Sequence, residues 1–126
     1  MEHSEGFLKL AEEAKRRIRE ISVEETMERM NSGDEVHLID VREDNEWQKG
    51  HARGALHLGK GIIERDIERE VPDKGTELIL YCGGGYRSAL AADSLQRMGY
   101  YDVSSMAGGW RAWKEAGAPT EGEQNG

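Results

Sequence analysis

The sequence is short of cysteine, proline and aromatic residues, and each shortage excludes something. A single cysteine, Cys82, rules out an internal disulfide and any zinc site built from cysteines. No apolar run approaches the roughly 18 residues that a membrane span needs. The opening residues, MEHSEGFLKL, lack the basic start and long apolar stretch of a secretory signal, so a reducing cytoplasm is the expected compartment. Basic residues are outnumbered, 17 against 25 acidic, for a formal charge of −8. Such a surface repels phosphate backbones and anionic lipid, which argues against nucleic acid and membrane as partners. An anionic substrate would need a local positive site. At 126 residues there is room for one domain and one core.

What the sequence does contain is a regular alternation of elements. Phe7, Leu10, Ala11, Ala14, Ile18 and Ile21 recur at steps of three and four, which predicts an amphipathic helix over residues 6–20. That helix, within an extension covering residues 1–20, serves either to dock on the domain or to form a dimer contact, so monomer and homodimer both stand open. Ser22 and Glu25 make a capping box that starts a second helix at Val23. VHLIDV at 36–41 reads as a buried strand, EDNEWQKG as a short helix, GALHL as a short strand, and GIIERDIEREV as a helix. TELILYC is a second buried strand, ending at Cys82. Residues 88–98 form a strong helix, DVSSM a short strand, and GGWRAWKEAG a last helix. The tail, residues 118–126, has little to bury and is expected to be disordered. Strands alternating with helices predict an α/β domain with a mainly parallel central sheet flanked by helices on both faces. Ligands of such sheets bind beyond the carboxyl ends of the strands, where Cys82 lies.

Most free cysteines are inert small hydrophobes. Three neighbours set this one apart. Its place between a strand and a helix start exposes the sulfur to backbone N–H groups and the helix dipole, which favour a thiolate. Gly83, Gly84 and Gly85 allow a tight loop whose N–H groups point inward as an anion-binding nest. Arg87 adds a cation. Two chemistries fit: phosphate-ester or arsenate chemistry in a larger loop, and transfer of sulfane sulfur in a smaller one. The phosphatase pattern places five residues between cysteine and arginine. Here GGGY places four, so the loop is one residue short.

The blocks HLIDVREDNEW, KGHARGALHL, LYCGGGYRSALAA and MAGGWRAW resemble, in order, the signature blocks of single-domain rhodaneses, which are sulfurtransferases. The resemblance covers residues 21–117 and matches the loop form C-x-x-G-x-R-S through Gly85, Arg87 and Ser88. It implies a double displacement: Cys82 takes a sulfur from thiosulfate or a persulfide donor and passes it to cyanide, a thiol or a sulfur-accepting protein, with no metal or organic cofactor. It implies that the N–H groups of residues 83–87 hold the persulfide and that Arg87 favours an anionic donor. Tyr86 either faces the entrance or packs on Trp47 or another neighbour. Ser88 is a helix-start hydrogen-bond partner. Asp40 and Arg42, in a D-V-R pattern shared with the family, are a supporting framework, with Glu46 the expected partner of Arg42. His51 is a structural donor. His37 and His57 are not spaced as metal ligands. Rival readings are a non-enzymatic persulfide carrier or sensor and, disfavoured by the short loop, a phosphatase or arsenate reductase.

Overall fold

The computed structural model describes residues 3–122. Five strands form one sheet, and all its neighbours run parallel: β1 (Arg19–Ile21), β6 (Val103–Met106), β5 (Glu77–Tyr81), β2 (Val36–Asp40) and β4 (Leu56–His57), in that spatial order. The six helices among the described residues are α1 (Glu5–Lys15), α2 (Val23–Met30), α3 (Asp44–Gln48), α4 (Ile63–Glu70), α5 (Tyr86–Arg97) and α6 (Gly109–Glu115). The α/β architecture read from the sequence is the one observed.

Alternation along the central strands builds two cores, because successive side chains of a strand face opposite sides. Leu78 and Leu80 face one side with Ile39, Ile63, Ile67 and Leu95. Ile79 and Tyr81 face the other with Leu38, Met106 and Trp113. Helices α4 and α5 cover the first face, and α2 and α6 the second. Near-continuous apolar strands are what a sheet buried on both faces requires. The Ser22–Glu25 capping box opens α2 as expected.

Two segments differ from the sequence expectation. The first helix ends at Lys15 rather than near residue 20. Arg16 and Arg17 donate their N–H groups to the Glu13 and Ala14 carbonyls, which tightens the last turn, and Arg19–Ile21 then becomes the edge strand beside β6. Ile21 is buried as a strand residue, and Leu10, at an apolar position of the helical pattern, is 58% exposed. Helix α1 docks on α5 through the fully buried Ala11 and Ala14. Arg17 holds Asp93 by two hydrogen bonds, of 3.1 and 2.9 Å, and Gln96 donates to the Arg17 carbonyl.

The second difference is the tail. Ala118 is buried, the Pro119 carbonyl accepts from the Arg53 amide and the Trp113 indole, and β7 (Thr120–Glu121) pairs antiparallel with β3 (His51–Ala52). Residues 118–122 are therefore ordered. Backbone pairing requires no apolar side chain, so composition does not reveal it. The remainder of the expected disordered tail, residues 123–126, lies outside the described residues.

Candidate active site

The register of β2 against β5 places Asp40 opposite Tyr81, so the residues following both strands emerge at one edge of the sheet. Cys82 follows Tyr81 and turns at once into the glycine loop. Gly85 has a φ of +106°, a conformation that L residues rarely adopt, and caps α5. That turn brings backbone donors back onto the sulfur. The Gly85 N–H donates to Cys82 Sγ at 3.1 Å and the Ser88 N–H at 3.4 Å. Ser88 Oγ lies 3.5 Å from Sγ and 2.8 Å from Ser105 Oγ. The amides of Gly83, Gly84, Tyr86 and Arg87 meet no acceptor among the described residues. Cys82 is itself 1% exposed, beneath the half-buried Gly83 and the exposed Gly84. Two peptide N–H groups, those of Gly85 and Ser88, thus point toward the buried sulfur. Of the expected donors, residues 83–87, only Gly85 reaches the sulfur among the described residues, and Ser88, outside that set, is the second backbone donor.

The loop's carbonyls are drawn the other way. At the start of α6, the Trp110 N–H donates to the Cys82 carbonyl at 2.7 Å and the Arg111 N–H to the Gly83 carbonyl at 3.3 Å. Gly109 makes this approach possible. A Cβ there would overlap the Cys82 carbonyl oxygen and lie 2.9 Å from the Cys82 and Gly83 carbonyl carbons, and its φ is +53°. Gly109 is the second glycine of the AGGW stretch, and its lack of a side chain lets α6 meet the loop.

Arg87 does not stand as a free cation. Its guanidinium grips Glu46 of α3 through Nη1–Oε1 at 2.8 Å and Nη2–Oε2 at 3.1 Å. This bidentate bond holds the Glu46 carboxyl below its ordinary range, against the opposing effect of burial. Glu46 was the expected partner of Arg42, so that expectation is corrected. The spacing along the chain favoured Arg42, but the return of α5 brings Arg87 closer. Arg42 instead turns back on Asp40, with Nη2–Oδ2 at 2.8 Å, and donates to the Gly50 carbonyl at 2.8 Å. Asp40 is fully buried and Arg42 is 3% exposed, with the guanidinium 4.9 Å from the Trp110 ring centroid. The pair ties the end of β2 to the Gly50 carbonyl. Burial and the neighbouring Asp40 push the Tyr81 hydroxyl well above its ordinary range, and that hydroxyl accepts the Ala52 amide at 3.0 Å.

Tyr86, half-buried, packs on neighbours other than Trp47. Its ring meets Phe7 at 6.4 Å and His3 at 5.0 Å, with Lys15 Nζ 4.4 Å above it, so the N-terminal segment flanks the loop. Trp47 stacks on His51 at 3.4 Å with planes 2° apart, and then on His57 at 4.9 Å. His51 Nδ1 bonds the Trp47 carbonyl at 3.0 Å, and its Nε2 lies 3.6 Å from Glu121 Oε1. No group of three metal-binding side chains occurs among the described residues. No described helix is long and apolar enough to cross a membrane. A groove of about 610 Å³ lined by Arg19, Arg29, Glu77 and Asp102 opens near the amino ends of the strands and contains none of the residues around the sulfur.

Comparisons with known proteins show what the chain is similar to. A putative sulfur carrier protein, YrkF, from Bacillus subtilis is 30% identical over 96 residues, covering 76% of this chain and 51% of the relative, so this chain spans about half that protein's length. The putative sulfurtransferase YtwF of the same organism is 35% identical over 97 residues, covering 77% and 91%. The thiosulfate sulfurtransferase GlpE of Shewanella oneidensis is 34% identical over 89 residues, covering 71% and 86%. Among solved structures, a protein of unknown function from Rhodopseudomonas palustris, described as a possible tyrosine phosphatase, superposes with a TM-score of 0.79 at 27% identity, covering 96% of this chain and 98% of its own. Residues 22–116 match the rhodanese-like domain, and the chain belongs to that family.

Proposed function

We propose that this protein is a sulfurtransferase that carries sulfane sulfur as a Cys82 persulfide. The observation that supports it most is the inward aim of the Gly85 and Ser88 amides at Sγ, with further loop amides left open. Hydrogen bonds to the charged form favour a thiolate. That thiolate attacks the outer sulfur of thiosulfate, the S–S bond breaks, and sulfite leaves with its electron pair. The charge then sits on the terminal sulfur of the persulfide, where the remaining N–H groups act as an oxyanion hole does for oxygen. Cyanide or an acceptor thiolate attacks that sulfur, and the Cys82 thiolate returns. No proton donor is required in either half.

The four residues between Cys82 and Arg87, one fewer than the phosphatase pattern places there, argue against phosphate-ester chemistry. A second reading, that the domain receives sulfur from a partner protein and delivers it without turning over small donors, uses the same residues. It draws support from the 1% exposure of Cys82, which restricts free access to the sulfur. Steady-state thiocyanate formation from thiosulfate and cyanide separates the two. The expected result is turnover in the parent and none in a folded Cys82→Ser variant. Turnover that survives in Cys82→Ser refutes the role of the cysteine. A parent that loads sulfur yet fails to turn over favours the carrier.

A further inference from the structure

Behind the sulfur lies a second serine that none of the chemistry above uses. Ser105 sits on β6, on the far side of Ser88 from Cys82. Both serines are fully buried, and Ser105 Oγ has Ser88 Oγ, at 2.8 Å, as its hydrogen-bond partner among the described residues. Two hydroxyl protons must therefore be placed with three acceptors in reach, Ser105 Oγ, Ser88 Oγ and Cys82 Sγ. If Ser88 donated to Ser105, the Ser105 proton would be a buried donor with no acceptor, which folded proteins avoid. The remaining arrangement satisfies both: Ser105 donates to Ser88, and Ser88 donates to the sulfur.

We propose that Ser105 is a positioning residue that fixes the Ser88 hydroxyl as a donor to the Cys82 thiolate. The inference rests on the reading of Cys82 as a reactive thiolate. The chain of hydroxyls is polarised toward the sulfur, which strengthens each bond in it. It also denies a protonated thiol the use of Ser88 as an acceptor, so it selects the charged form. In the loaded state the inner sulfur is neutral and the charge lies further out, beside the open amides. The serine pair therefore acts on the free nucleophile rather than on the persulfide.

The ionisable groups around the sulfur are Arg87 with Glu46, from α5 and α3, Asp40 with Arg42 at the neighbouring strand end, the Tyr81 hydroxyl, and His57, bound to the Arg42 carbonyl. Arg111, at the start of α6, reaches the loop through its backbone, and β6 contributes no titratable side chain. All of these are common to the variants below and cancel from the differences.

The test is the rate of Cys82 alkylation by iodoacetamide against pH in four proteins: the parent, Ser105→Ala, Ser88→Ala and the double variant. Loss of one hydrogen bond to the sulfur is expected to move the rate profile of Ser88→Ala toward higher pH. Ser105→Ala moves it by a smaller amount in the same direction, and adds nothing once Ser88 is already alanine, because Ser105 acts only through Ser88. Ser105→Thr, which keeps the hydroxyl, retains the parental profile. An unchanged profile in Ser105→Ala, an equal shift in both backgrounds, or a threonine profile matching that of alanine overturns the proposal. Should Ser105→Ala not fold, Ser105→Val, which has the shape of threonine without its hydroxyl, takes the place of alanine in each comparison. A parent that is alkylated but never loaded by thiosulfate sinks the transfer reading alone. A parent that resists alkylation at every pH overturns both.

Discussion

Substituting Gly109 by alanine attacks the site from behind without touching the sulfur. The added Cβ would collide with the Cys82 carbonyl, whose position the α6 amides define. Three costs follow. An L residue at a φ of +53° costs about 1 kcal/mol. Relief of the overlap requires α6 to withdraw, which breaks the bonds from Trp110 and Arg111 to the loop carbonyls, each worth about 1 kcal/mol net. The sum is about 3 kcal/mol, or about 12 °C in Tm at roughly 4 °C per kcal/mol for a chain of this size. Gly117 supplies the control. Its φ is +70°, yet a Cβ there meets nothing within 4 Å. Gly117→Ala should therefore lose only the conformational share, about 4 °C, and keep full transfer activity. Gly109→Ala should lose most of its sulfur loading as well, because the freed carbonyls can turn toward the sulfur and oppose its charge. Thermal unfolding with intact mass spectrometry after thiosulfate reads both effects. Equal Tm losses in the two variants, or normal loading in Gly109→Ala, would refute the reasoning.

Further outcomes follow from the ion pairs. Asp40→Ala leaves the Arg42 guanidinium buried without its partner and should cost about 3–5 kcal/mol in urea unfolding. A double Asp40→Ala, Arg42→Met variant should recover much of that loss, and a mild effect of Asp40→Ala alone would show that Arg42 finds solvent. The Arg87 bond lowers the folded-state value for Glu46. Its stabilisation is thus complete above the ordinary glutamate range and is lost as pH falls through the lowered value. Between pH 5 and 3 (roughly the interval in which an unperturbed and a lowered carboxyl take up protons), the parent should lose up to about 1 kcal/mol more than Glu46→Gln. Parallel pH curves for the two proteins would remove Glu46 from the account.

Much of this arrangement was legible because it is periodic or local. The apolar runs ending at Asp40 and Cys82 could hardly be anything but buried parallel strands, and the Ser22–Glu25 box is a contiguous signal. The cysteine loop announced itself by composition. Contacts that cross the sequence were not legible. Glu46 lies nearer in sequence to Arg42, and only the path of α5 gives it to Arg87. Ile18 and Ile21 satisfy a helical spacing, yet the open edge of β6 claims residues 19–21. The β3–β7 pairing is made by backbone atoms, which carry no side-chain signature. Ser105 reads as an ordinary strand residue until β6 is laid beside the loop.

The most direct test of the central claim is intact mass after brief exposure to excess thiosulfate, compared between the parent and Cys82→Ser. The account predicts one added sulfur in the parent, removed by reductant or by cyanide, and none in the serine variant. An unchanged parent mass under saturating donor, or an equal gain in both proteins, would contradict it.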